Sequence, residues 1–350
     1  MPKNRVILAS SALQIIIAKS ALDFLNDNET YSNHVIAFHP ALNESSIEIM
    51  QKYCQKFKFE SFLNLSEYSR EFENKKIEKF YKNNLFLKLK NINNYANFYS
   101  RESSVFTKKI SEIIKDEIGV INSVIVRSNY KKIDTLYIDA ANYKDDIIQI
   151  EEGIVDYAKR YWEYTSFNFY EIRSLWMQKI YNLIFFFFMF IKFNYVVAKK
   201  LSFIPKYNFK IKFNYFNYKQ IFDKYFLKNI SKINTPYDLS NFKVIIIGTT
   251  LKESQKKNKK FEINEINFYN KLIHKICKKH KIKESEVLYK PHPRDTNFDQ
   301  KKLNLNCEVI DNIHNILSED LLYNNKSIKY LYTINSSSAL YASRLYKMNS

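Results

Sequence analysis

Short apolar runs alternate with longer stretches of helical length through most of the chain. Runs of four to eight residues rich in Val, Ile and Tyr read as buried strands, and the stretches between them as helices. In the N-terminal half the strand candidates are RVILAS, HVIAFHP, VINSVIVRS, LYIDAA and IIQIEEG, with Val6–Ala9 as the first buried strand. Residues 45–58 and 104–118 are helix candidates between them. A second series opens with KVIIIGTT, a buried strand with Gly248 at its exit, followed by a long helix over residues 262–280. EVLYKPHP then reads as a strand ending at Pro291, CEVID as a short strand, and KYLYTIN as a strand running into the helix SSSALYASRLY. Strands that alternate with helices imply parallel sheets, so the fold class is α/β with two Rossmann-like lobes. The pattern sets the lobes at residues 1–165 and 237–350, joined by a helical linker over residues 166–236.

Composition agrees with two lobes. The 350 residues exceed one ordinary core, and 46% hydrophobic with 16% aromatic residues excludes a disordered chain. The 55 Lys and Arg against 36 Asp and Glu give a net charge of +19, which points to an anionic partner or surface. A codon bias toward A and T would also enrich Lys, Asn, Ile, Tyr and Phe and deplete Gly, so only part of this charge carries functional meaning. Cys54, Cys277 and Cys307 are far apart, which argues against both a disulfide framework and a zinc site and suits a reducing compartment. The most apolar segment, residues 180–191, is too short to span roughly 30 Å of hydrocarbon at about 1.5 Å per residue. The linker is dense in lysines and aromatics, a composition suited to an anionic membrane surface or to a solvated connector.

Three motifs carry candidate chemistry. Glu151 and Glu152, followed by Gly153, come directly after an apolar strand, where ligands of open α/β sheets bind and a general base belongs. The same pair could simply favour the first turn of a helix. In Tyr289-Lys290-Pro291-His292-Pro293-Arg294, a histidine lies between two prolines that stiffen the backbone, with a cation on each side. That grouping suits a phosphate: the cations neutralise it, and an imidazole titrating near about 6.5 can protonate a departing phosphate oxygen. Ser336, Ser337 and Ser338 follow a strand and open a helix, which presents hydroxyls and free N–H groups to an anion or provides ordinary helix caps. There is no GxGxxG, GxxxxGKS, HExxH or GxSxG, and no Asp-x-Asp to hold a metal between diphosphate oxygens.

Together, the acidic pair before glycine, the His-Pro dipeptide and the serine cluster resemble the three motifs of bacterial sialyltransferases, in the same order and in the expected lobes. The chain looks most similar to the polysialyltransferase and lipooligosaccharide sialyltransferase branches, and its opening VILASSALQ resembles their first strand and loop. The resemblance implies a GT-B fold with an interlobe cleft, CMP-sialic acid as donor, and no metal or other cofactor. It makes Glu151 or Glu152 the base that deprotonates the acceptor hydroxyl. His292 then contacts the CMP phosphate and assists its departure, and Ser336, Ser337 and Ser338 hold that phosphate. Lys290, Pro293 and Arg294 belong to the same donor site, and Gly248 and Thr249 lie at a strand exit suited to donor contacts. One base and no second carboxylate nucleophile imply inverting displacement. The implied partners are the donor, a glycan acceptor and an anionic membrane surface, with no nucleic acid, at the cytoplasmic face of a membrane. GT-B enzymes usually continue beyond such a serine helix, so a chain ending at Ser350 is expected to lack the last elements of its C-terminal lobe. Two alternatives remain. One is a GT-B transferase using another nucleotide donor for a capsular or teichoic-acid-like polymer, and the other is a basic protein that binds membrane or nucleic acid without catalysis.

Overall fold

The computed structural model describes residues 2–26, 30–80, 92–127, 132–150, 221–233, 238–248, 264–292, 298–310, 317–333, 338–339 and 342. The chain divides into two units, Met1–Ile221 and Phe222–Ser350.

In unit 1, β1 (Lys3–Ala9), β2 (Tyr31–Ala37), β3 (Ser61–Asn64), β4 (Ile121–Arg127) and β5 (Asp146–Ile150) form one sheet in the order β3-β2-β1-β4-β5. All pairs are parallel. The helices are α1 (Ala12–Leu25), α2 (Glu44–Lys56), α3 (Ser66–Phe80), α4 (Ile92–Glu117) and α5 (Lys132–Ala141). The central strands are apolar on both faces because helices cover both. Val6, Leu8, Val124 and Val126 face Phe72 of α3, Phe106 and Ile110 of α4 and Tyr137 of α5 in one core. Burial on this scale is the main favourable term, at roughly 1.5–3 kcal/mol for each large apolar side chain. Helix α1 is buried nearly all round, from Ala12 to Leu22, which explains why its sequence lacks an amphipathic stripe. Helix α4 stops at Gly119, whose φ of 91° lies in the left-handed region and whose N–H bonds back to the Ile114 and Lys115 carbonyls.

One expected strand is a helix. LYIDAA lies in α5, because Ile133, Leu136, Tyr137, Ala140 and Ala141 recur at helical spacing and all are buried. Tyr137 is fixed there, its hydroxyl donating to the Leu65 carbonyl at 3.0 Å and lying 2.8 Å from Ser69 Oγ.

A π-helical turn, Ile221–Phe226, runs across the boundary into unit 2 and is followed by α6 (Leu227–Ile230). Its sheet has β6 (Val244–Ile247), β7 (Val287–Lys290), β8 (Glu308–Val309) and β9 (Tyr330–Thr333) in the order β8-β7-β6-β9, again all parallel. This repeats the β3-β2-β1-β4 order of unit 1. Helix α7 (Glu265–His280) packs Tyr269, Ile273 and Ile276 on one face, against Val244, Ile246, Val287 and Tyr289. The other face holds Ile245, Ile247, Leu288 and Leu331 against Leu321 and Leu322 of α9 (Ser318–Asn324), while α8 (Phe298–Asn304) follows β7. β7 ends at Lys290, one residue before the expected Pro291. Two parallel Rossmann-like sheets of this order are the composition of the GT-B fold.

Candidate active site

Open parallel sheets bind ligands at the carboxyl ends of their strands, beside the strands that flank the reversal of order. In unit 2 that reversal lies between β6 and β9, where Ile247 pairs with Thr333. Gly248 follows β6, and its N–H donates to the Lys290 carbonyl at 2.8 Å. A Cβ on Gly248 would lie 2.3 Å from the Tyr289 hydroxyl oxygen, so the glycine makes room for a buried tyrosine. The sequence pointed to donor contacts here, and the structure supplies a packing reason for the same residue.

Lys290 is the unusual group. It is the last residue of β7, only 3% exposed, and has no hydrogen-bond or ion-pair partner among the described residues. Burial pushes its ammonium down to about 8, and the charge of Glu319 only partly opposes that shift. Glu319 lies in the first turn of α9, 4% exposed, and burial raises its carboxyl above the usual range while Ser338 and Lys290 pull it back. Ser338 Oγ donates to Glu319 Oε1 at 2.9 Å. Thr333 Oγ1, at the end of β9, is buried with no hydrogen-bond partner among the described residues. His292, two residues past Lys290, is half-buried. A buried, weakly compensated cation, a histidine and hydroxyls at the ends of neighbouring strands form a site suited to an anion.

Of the expected site residues, the structure therefore brings Lys290 and Ser338 to one buried cluster through Glu319, and sets His292 and Gly248 at adjoining strand ends. Glu151, Glu152, Gly153, Thr249, Pro293, Arg294, Ser336 and Ser337 lie outside the described residues. β5 ends at Ile150, immediately before the acidic pair in the sequence, and Ile150 pairs with Arg127. Glu319 and Thr333 were not singled out from the sequence. Ser318-Glu319-Asp320 resembles an ordinary helix start, and Thr333 an ordinary strand residue. The one available signal for Thr333 was its place three residues before the serine cluster.

Unit 1 closes its own strand ends differently. Arg127, the last residue of β4, donates from Nε and Nη2 to the two Asp134 carboxylate oxygens at 2.5 and 2.6 Å, and from Nη1 to Ser10 Oγ at 3.3 Å. Both members of the pair are 2% exposed. Ser10, just past β1, donates its N–H to Gln14 Oε1 at 2.6 Å.

Two parallel sheets of this order give the chain the GT-B fold. The sequence model of the alpha-2,8-polysialyltransferase family (POLYST) matches residues 5–350, and the chain belongs to this family. It is thus a sialyltransferase, working with a nucleotide-sugar donor and a glycan acceptor. Among solved structures, an α/β-galactoside α-2,3-sialyltransferase from Photobacterium phosphoreum is similar at 12% identity, over 97% of this chain and 87% of that one, with a TM-score of 0.43. A UDP-N-acetylglucosamine 2-epimerase from Rickettsia bellii is similar at 12% identity, over 100% and 78%, with a TM-score of 0.45. A heptosyltransferase from E. coli is similar at 9% identity, over 95% and 83%, with a TM-score of 0.41. No curated protein matches the sequence.

Proposed function

We propose that the protein transfers sialic acid from CMP-sialic acid to a bacterial surface glycan, a lipooligosaccharide or a capsular polysialic acid, with inversion and without a metal or other cofactor. The observation that carries the reading is the buried Lys290 at the carboxyl end of β7, two residues before His292, in a chain of the polysialyltransferase family. CMP carries one phosphate, so a single cluster of cations, a histidine and hydroxyls can stabilise its departure. In this reading Lys290 and Arg294 neutralise the phosphate while Ser336 and Ser337 donate their hydroxyls to it and Ser338, whose hydroxyl is bonded to Glu319, offers its backbone N–H. His292 gives the leaving oxygen its proton. Pro293 holds the His292 loop, and Gly248 and Thr249 line the donor side. Glu151 or Glu152 takes the proton of the acceptor hydroxyl, and Gly153 keeps the backbone beside them free of a side chain. Only one carboxylate can face the acceptor, so Glu151→Gln and Glu152→Gln differ markedly in turnover.

The reaction runs at the cytoplasmic face of a membrane, to which the basic segment of residues 166–236 holds the protein by charge. Among the described residues no helix is long and apolar enough to cross a membrane. The deciding experiment offers the protein CMP-sialic acid with lactose-terminated and oligosialic acceptors and follows CMP release and product linkage. CMP release that depends on acceptor is the expected result, and none with any acceptor from the folded protein overturns the reading.

A further inference from the structure

Three buried polar residues from separate elements converge at the strand ends of unit 2. Lys290 closes β7, Glu319 opens α9, and Ser338 lies in the helical segment after β9. Each is less than 5% exposed. Burying a lysine and a glutamate without a closed ion pair between them costs stability on both sides, and apolar residues of similar volume would serve the core at least as well. Their placement at the ligand-binding edge of the sheet gives that cost a purpose.

We propose that Glu319 is a positioning residue for donor binding. It accepts a hydrogen bond from the Ser338 hydroxyl, which anchors the start of the helical segment after β9, and it acts on Lys290 by its charge, so that the ammonium is kept charged for the donor's phosphate. This rests on the donor site proposed above. Glu319 itself does not contact the donor. Its carboxylate keeps Lys290 protonated in the empty site, and the arriving phosphate meets a cation already charged. Among the described groups, Glu319 is the charge that acts on Lys290. Ser338 by its hydrogen bond and Lys290 by its charge both act on Glu319. Asp320 is also buried on α9, and His292 follows Lys290 on its own strand end, but neither shifts the ammonium.

The test measures CMP binding to the full chain by calorimetry from pH 5.5 to 9.5. In the unsubstituted protein affinity falls as pH rises through about 8, because Lys290 loses its proton there, a limb separate from the one at about pH 6 that the CMP phosphate itself contributes in every variant. Glu319→Gln keeps an oxygen for Ser338 and removes the charge. The falling limb then moves down by about one pH unit, which weakens affinity about fivefold near pH 8 and about tenfold near pH 9, and leaves it within about threefold near pH 6. A merely structural role would weaken binding equally at every pH. Lys290→Arg, whose guanidinium stays charged, abolishes the limb. If Glu319→Gln does not fold, Glu319→Asp withdraws the carboxylate by one methylene and moves the limb the same way by less. An unmoved limb in whichever of these folds, or a limb that persists in Lys290→Arg, overturns the proposal. If the folded, unsubstituted protein binds no CMP, the donor reading itself falls and Glu319's role with it. Binding with an unmoved limb removes the role alone.

Discussion

Arg127 and Lys290 hold comparable stations, since each is a buried cation and the last residue of a parallel strand in a sheet of the same strand order. In unit 1 the cation meets a two-point partner, Asp134, at hydrogen-bond distance from both nitrogens. In unit 2 the nearby carboxylate acts on Lys290 by charge alone, and burial lowers the ammonium to about 8. One architecture has thus closed one strand end with its own carboxylate and left the cation at the other without a hydrogen-bonded carboxylate among the described residues. The contrast separates a cation that maintains the fold from one suited to ligand binding.

The comparison can be broken most forcefully at Arg127. Arg127→Met takes from the buried Asp134 the guanidinium that meets both its oxygens and should cost about 3–5 kcal/mol in the stability of unit 1, read from urea unfolding. The equivalent change at Lys290 leaves a carboxylate that can take up a proton, so Lys290→Met keeps the melting temperature within a few degrees while donor binding is lost. His292→Ala should lower turnover by about 100-fold, measured as CMP release at saturating donor. Activity within a factor of a few would remove the histidine from proton transfer. Gly248→Ala forces a methyl against the buried Tyr289 and is expected to destabilise unit 2 by about 1–3 kcal/mol. Combining it with Tyr289→Phe, which removes the nearest atom, should recover part of that loss.

The smallest effect concerns pH. Lys290 titrates lower in the folded protein than its ordinary 10.5, so the unfolded chain binds more protons between about pH 8 and 10.5. The penalty from the buried charge is therefore fully present below about 8 and is relieved as pH rises through that window. Relative to Lys290→Met, the unsubstituted protein gains stability there, at no more than about 1.4 kcal/mol per pH unit. A difference in melting temperature that stays constant from pH 7.5 to 10 contradicts the buried charge.

The central strands were legible because VILA, VIVR and VIII are short apolar runs that a two-faced parallel sheet requires. LYIDAA misled because the adjacent β-formers Tyr137 and Ile138 look like a strand until Ile133, upstream, joins Leu136, Tyr137, Ala140 and Ala141 at helical spacing. β3 escaped notice because Ser61–Asn64 is a four-residue edge strand, its burial supplied by the neighbouring strand rather than by its own composition. His-Pro alone was an incomplete signal for the site. The dipeptide occurs after β2 as well as after β7, and in the first case His39 Nδ1 accepts the Ala41 N–H at 3.2 Å in a local turn. What sets the second copy apart is the burial of Lys290 and the bond between Glu319 and Ser338, contacts between residues far apart in sequence that no local pattern encodes.

The order of the unit 2 sheet also has a consequence in time. β6 is its central strand, flanked by β7 and β9, and it cannot be completed until the last of these is made. Between synthesis of residue 244 and its partner residue 330, a ribosome adding about 5–20 residues per second spends roughly 4–17 s. Throughout that interval the run Val244–Ile247, entirely buried in the finished protein, has one edge without its mate. Unit 2 is therefore at its most vulnerable to misassociation during its own synthesis, and slower translation lengthens that exposure.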